Sequence, residues 1–371
     1  MALTTRARTR QVASLLALAL ATLAHAGPDW PCFRGSPAMT GVASPPLPMS
    51  LRVLWKYEAK AAVDSTAAIV GDTVYVGTRS KLVLALSLAT GKLKWKFAAG
   101  NAVTAAPCVS GGVVYVGDED GVFHALSAAT GKPLWKFGTG DKIVSSAVVV
   151  NGGILFGSYD NNLYKLDVKT GKKLWSYEAQ AQVNCTPAVS GNTVVIAGCD
   201  GNVRGIDLKT GKQRFAAEIG GNFGAAAACS NGVAFVGSMI GDYVAVRLSD
   251  GKLLWHVLQR NDGGATYASA AAWSNGVIFA SRNKTVFRLD RATGKSKWSF
   301  RAGDAVDSSP VISGSRIYFG CDDGRLYGLE LGTGKKVWSF RAGGAISASP
   351  AVGGGRMVIG TTDGAVYCFG Q

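Results

Sequence analysis

Apolar positions in this chain fall in short runs rich in β-branched and aromatic residues, cut every few positions by Gly, Asn, Asp or Ser. This is the pattern of strands and tight turns, and the runs from residue 52 onward hold no helical stretch. The runs themselves recur. Thr90-Gly91-Lys92 is followed by Trp95, Thr130-Gly131-Lys132 by Trp135 and Thr170-Gly171-Lys172 by Trp175. The series continues with Thr210-Gly211-Lys212 and Phe215, Asp250-Gly251-Lys252 and Trp255, Thr293-Gly294-Lys295 and Trp298, and Thr333-Gly334-Lys335 and Trp338. Successive glycines are 40, 40, 40, 40, 43 and 40 residues apart. A fixed period of this size, filled with short strands, predicts an all-β propeller of four-stranded antiparallel blades.

One unit fixes the expected strands. Val306 to Ser313 is the innermost, Arg316 to Cys321 the second, Gly324 to Leu331 the third, and Lys336 to Arg341, with Trp338, the outermost. Gly334 supplies the positive φ that the turn before the outermost strand needs. The two ends of the chain are each incomplete. Residues 52–58, with Trp55, read as an outermost strand without a preceding turn, and residues 346–369 as three inner strands with nothing after them. Joining them antiparallel, 52–58 against 365–369, completes an eighth blade and removes two open sheet edges. The expected organisation is a signal peptide over 1–26, an extended segment over 27–51 and an eight-bladed propeller over 52–371.

The repeated aromatic, Trp55, Trp95, Trp135, Trp175, Phe215, Trp255, Trp298 and Trp338, reads as the wedge that docks each blade on the next. Phe215 in the fourth slot supports packing, because it keeps the bulk and drops the N–H.

Arg6, Arg8 and Arg10 precede an apolar stretch from Val12 to Leu23 that is too short to span a membrane, and Ala24-His25-Ala26 has the form of a cleavage site. The expectation is export, to the periplasm or outside the cell, as a soluble protein without a transmembrane segment. The formal charge of +15 becomes +12 without those three arginines, which favours solubility and anion attraction. No nucleic-acid motif accompanies it. Seven cysteines include no Cys-x-x-Cys pair, so zinc is not expected, and they read as small buried hydrophobes. Beyond the leader only His124 and His256 remain, both at strand positions.

The segment Leu166-Asp167-Val168-Lys169-Thr170-Gly171-Lys172-Lys173-Leu174-Trp175 resembles the repeat of pyrroloquinoline-quinone (PQQ) dehydrogenases. Asp29-Trp30-Pro31-Cys32-Phe33-Arg34-Gly35 resembles the opening of exported bacterial propellers of that superfamily, to which assembly factors of the BamB type are close. The resemblance covers residues 52–371 and implies eight blades docked by the tryptophans. Its enzymes pair a vicinal disulfide with PQQ and hold Ca²⁺ in a carboxylate and amide cluster beside an Asp base. This chain has no Cys-Cys and no local motif matching that cluster. The resemblance therefore implies a non-catalytic binding or scaffold module without cofactor or metal. The alternatives are a PQQ- and Ca²⁺-dependent oxidoreductase and a carbohydrate- or polymer-binding propeller.

The repeat aligns two rings of residues on the innermost strands. The first is Asp64, Thr104, Val144, Asn184, Gly224, Tyr267, Asp307 and Ser347, varied in size and charge. The second, two residues on, is Thr66, Ala106, Ser146, Thr186, Ala226, Ser269, Ser309 and Ser349, uniformly small. The period's three extra residues fall at Gln259 to Tyr267, in a loop entering an innermost strand, where binding residues concentrate. A site is therefore expected at a channel mouth formed by Asp64, Asn184, Tyr267 and Asp307 beside Asn261 and Asp262, open to a cationic or hydroxyl-rich guest. The partner would be another exported or envelope protein, or a polar ligand. The lysine turns, Lys92 to Lys335, form a ring on the opposite face that could meet an anionic surface.

Overall fold

The computed structural model describes residues 28–258 and 264–371. Over these the chain forms eight antiparallel sheets arranged as blades around one axis. Blade 1 runs outward through Ala68–Val70, Thr73–Gly77, Leu82–Ser87 and Leu93–Ala98. Blades 2 to 7 repeat it. Blade 8 takes Ala351–Gly353, Arg356–Gly360 and Ala365–Gly370 from the end of the chain and Arg52–Glu58 from near its start. The closing pair is antiparallel, with Trp55 opposite Cys368 and Glu58 opposite Ala365.

The innermost strands are shorter than the sequence pattern suggests. In blade 7 the strand is Val311–Ser313, not Val306 to Ser313. The preceding residues bond around the ring instead of along the blade. The Val306 N–H donates to the Ser281 carbonyl at 3.2 Å, the Ser309 N–H to Ser349 Oγ at 2.9 Å, and Pro310 has no N–H to give. The second strand stops at Gly320, the third spans Arg325–Glu330, and the outermost is Lys336–Arg341 as expected.

All eight third-to-outermost pairings carry a register shift beside the aromatic wedge, as where Ala85 faces Trp95 but Leu86 faces Leu93. Such a bulge breaks the two-residue alternation, and the tryptophan reaches the neighbouring blade. The Trp95 Nε1–H donates to the Ala128 carbonyl at 2.9 Å. Its ring lies on Gly131 of the next turn, φ +70°, where a Cβ would come within 2.5 Å of it. Trp55, Trp135, Trp175, Trp255 and Trp298 repeat the bond at 2.8–3.3 Å. Phe215 repeats the contact with Gly251. Trp338 meets no such turn, because blade 8 takes its outer strand from the start of the chain, and it packs edge-on against Phe369.

The segment before residue 52 is a strap across one end of the ring. It visits the innermost strands in blade order. Trp30 exchanges two backbone bonds with Ile69 of blade 1, and the Pro31 carbonyl accepts from Val109 of blade 2. Pro37, Ala38, Thr40 and Gly41 then accept from Val189, Cys229, Ala272 and Ile312 of blades 4 to 7, at 2.7–3.0 Å. Val42–Ala43 finally adds a short parallel strand to blade 7. Between the contacts with blades 2 and 4 a tight turn, Phe33–Gly35, crosses the axis. Arg34 is 1% exposed. Its guanidinium donates to the carbonyls of Ala270 (3.0 Å), Ser309 (3.1 Å) and Pro310 (2.5 Å). Burial pulls its pKa down to about 9.

Candidate functional site

Both aligned rings line one axial cavity of about 190 Å³, together with Cys185 and, from the strap, Phe33. The strap bonds at the far ends of the innermost strands, so it floors this cavity, and the first ring forms its mouth. Asp64, Asn184, Tyr267 and Asp307 are brought together there, each half-buried. Asn261 and Asp262 lie outside the described residues.

The second ring is a belt. Its hydroxyls accept backbone N–H bonds from the equivalent residue of the preceding blade. Ala106 donates to Ser146, Ser146 to Thr186, Ala226 to Ser269, Ser269 to Ser309, Ser309 to Ser349, and Ser349 to Thr66, at 2.9–3.3 Å. The belt is interrupted where alanine replaces the hydroxyl, at 106 and 226. Small size leaves the bore open, and the hydroxyl stitches blade to blade.

A third ring surrounds the mouth, and the sequence reading missed it. It comprises Arg79, Glu119, Tyr159, Cys199, Met239, Arg282, Asp322 and Thr362, in the turn between second and third strands of each blade. All eight donate their backbone N–H to a carbonyl in the segment entering the innermost strand, as Arg79 does to Ala62 and Thr362 to Ala345, at 2.7–3.5 Å. The backbone is thus the same eight times while the side chain differs in nearly every blade. The signal was available: each residue follows its first-ring counterpart by 15 positions, as in Asp64 and Arg79.

These added residues change the electrostatics. The Asp64 carboxylate pairs with Arg79 and accepts from the Ser347 hydroxyl at 3.1 Å. Asp307 receives a forked pair from Arg282, at 2.8 Å from Nε and 2.7 Å from Nη2. The same guanidinium stacks on the Tyr267 ring, 4.1 Å from its centre. Tyr267 in turn lies against Gly224, where a Cβ would come within 2.8 Å of the ring. Hydrogen bonding to these carboxylates raises the pKa of both arginines. The carboxylates expected to face a cationic guest thus already hold cations. Asp322, in an open depression that shares Asp64, Asp307 and Ser347 with the cavity, has its pKa raised by partial burial and then by the charges of Asp307 and Asp304.

The remaining candidates lie elsewhere. His124 and His256 sit on strands; His124 Nε2 bonds Asp118 at 2.8 Å, and His256 Nε2 lies 3.1 Å from Asp242. The turn lysines are exposed on the strap face, where the Leu88 N–H ties the turn region to Asp72 of the first hairpin at 2.8 Å. Six of the seven cysteines are buried, and Cys199 is half-buried. Among the described residues no three His, Cys, Asp or Glu side chains cluster as a metal site, and no helix is long and apolar enough to cross a membrane.

Blades, strap and axial cavity define a closed PQQ-repeat propeller with one open mouth. The chain belongs to the family described as outer membrane protein assembly factor BamB, whose model matches residues 50–142, 124–283 and 241–369. No curated protein matches it. Among solved structures it is similar to BamB from Moraxella catarrhalis, 19% identical over 87% of this chain and 100% of that one, TM-score 0.76. It is also similar to the quinohemoprotein alcohol dehydrogenase from Comamonas testosteroni, 15% identical over 93% of this chain and 81% of that one, TM-score 0.80. The computationally designed Ika8 protein is 20% identical over 85% of this chain and 98% of that one, TM-score 0.74. At such identities the likeness is one of fold.

Proposed function

We propose that this propeller is an exported, non-catalytic binding module whose mouth receives a polar group of another envelope or exported protein. The observation that carries this reading is the mouth itself: an eightfold-repeated backbone presenting side chains that differ from blade to blade. Uniform support under varied side chains suits recognition on a rigid scaffold. Arg79, Arg282, Asp322, Asn184 and Tyr267 offer donors, an acceptor and a stacking face, so the guest is hydrogen-bonding and mixed in charge rather than simply cationic. The family description supports an assembly role, and the residue pattern at 6–26 supports export.

The oxidoreductase reading draws on the likeness to the alcohol dehydrogenase. The residues present do not fit a quinone and Ca²⁺. The two first-ring carboxylates are held by arginines, and no metal-binding cluster stands among the described residues. Incubation with PQQ and Ca²⁺ at 100 times a supposed dissociation constant should leave the melting temperature unchanged, whereas a true ligand would add about 2.7 kcal/mol. Reduction of an artificial acceptor by alcohols or aldoses would overturn the binding-module reading. The direct test is capture from an exported fraction. Tyr267→Ala with Asp307→Asn should lose the partner, and Lys132→Glu with Lys172→Glu should retain it. The opposite result would move the site to the strap face.

A further inference from the structure

The strap meets blade 2 through a single backbone bond, from the Val109 N–H to the Pro31 carbonyl at 2.7 Å. The residues beside that bond are both cysteines: Cys32 follows Pro31, and Cys108 precedes Val109. Both side chains are 3% exposed and enter the same apolar cluster, with Tyr115 and Phe123. Hydrogen bonding with Cys108, followed by burial, pushes the Cys32 thiol well up. Of the strap's other partners only Cys229 of blade 5 is a cysteine, and it meets Ala38. Blade 2 is therefore where the strap and the ring bring two sulfurs together.

We propose that Cys32 and Cys108 form a disulfide that locks the strap to blade 2 and so fixes the floor of the axial cavity. The inference rests on this geometry and not on the binding role of the mouth. The oxidant is a small-molecule or protein disulfide. One cysteine thiolate attacks a donor sulfur and releases half of the donor as a thiol. The second thiolate then displaces the other half and closes the Cys32–Cys108 bond. Two electrons pass to the donor, and the two cysteine protons end on its thiols. Folded, both sulfurs are buried, and the Cys32 thiol, pushed up, is a poor nucleophile. The exchange therefore belongs to folding, before the strap seats, in an oxidising medium.

The test refolds the full chain from denaturant in a glutathione redox buffer, and in parallel in excess reductant. Free thiols are blocked in denaturant, and peptides are mapped by mass without reduction. The expected result is a Cys32–Cys108 linked peptide in most oxidised molecules, with the other five cysteines blocked. The oxidised protein should melt several degrees above its reduced form, because the crosslink constrains the unfolded chain. Cys32→Ser and Cys108→Ser should each abolish that difference. Cys32→Ala serves the same comparison if the serine variant folds poorly. Refolded protein with both thiols blocked, or a reductant effect that persists in the single variants, would overturn the proposal.

Discussion

The two ends of the axial cavity are built from the same repeat and have opposite characters. At the floor, each blade except the third and eighth gives a backbone N–H at an equivalent position to the strap. These bonds ignore side-chain identity, so a segment outside the repeat can run around the ring. At the mouth the blades again repeat their backbone bonds, but among themselves, as from the turn after the second strand to the segment entering the first. No described segment covers that end, and its side chains are left to vary. Regularity supplies closure where a strap uses it, and display where nothing does.

If that division is right, substitutions on the floor side cost stability and substitutions at the mouth cost binding. The largest effect is expected for Trp95→Ala, about 4 kcal/mol in denaturant unfolding, from the lost wedge over Gly131. Trp95→Phe should cost about 1 kcal/mol, since only the bond to Ala128 is lost, and Phe215 already serves that way. Arg34→Ala should cost about 3 kcal/mol by stranding the carbonyls of Ala270, Ser309 and Pro310. Tyr267→Ala with Asp307→Asn should cost about 1 kcal/mol or less while abolishing partner capture. A mouth variant as destabilising as the floor variants would break the comparison.

The smallest effect carries a sign. The pKa of Asp322 is raised by burial and by Asp307 and Asp304, so its ionised form penalises the folded state at pH 7. As pH falls the folded state protonates first, and the penalty disappears below the unfolded value near about 4. Asp322→Asn should therefore raise the melting temperature slightly at pH 7 and leave it unchanged at about pH 3. A gain that grew on acidification would contradict this origin.

The blade count, the closing pair and the two inner rings were legible because each follows from the 40-residue period and the two-residue alternation. The innermost strands came out too long because residues such as 306–310 keep the apolar pattern but bond sideways to the next blade. The outer mouth ring was hidden for a related reason. Arg79 and Arg282 sit in polar turns that read as connections, and their pairing with Asp64 and Asp307 depends on how the strands bend back. The strap was seen only as an extended segment, since carbonyl acceptors leave no mark on residue type.

The strap also sets the order in which the molecule can be completed. Arg34 finds its acceptor Pro310 at a separation of 276 residues, and Arg52 lies opposite Gly370. The first described part of the chain therefore waits for nearly the last. Contacts of such long range form late and slowly. A half-emerged chain can build blades but can neither seat its floor nor shut its ring. Such a polypeptide stays incomplete while it is being threaded, and commits to its final form when the last strand arrives.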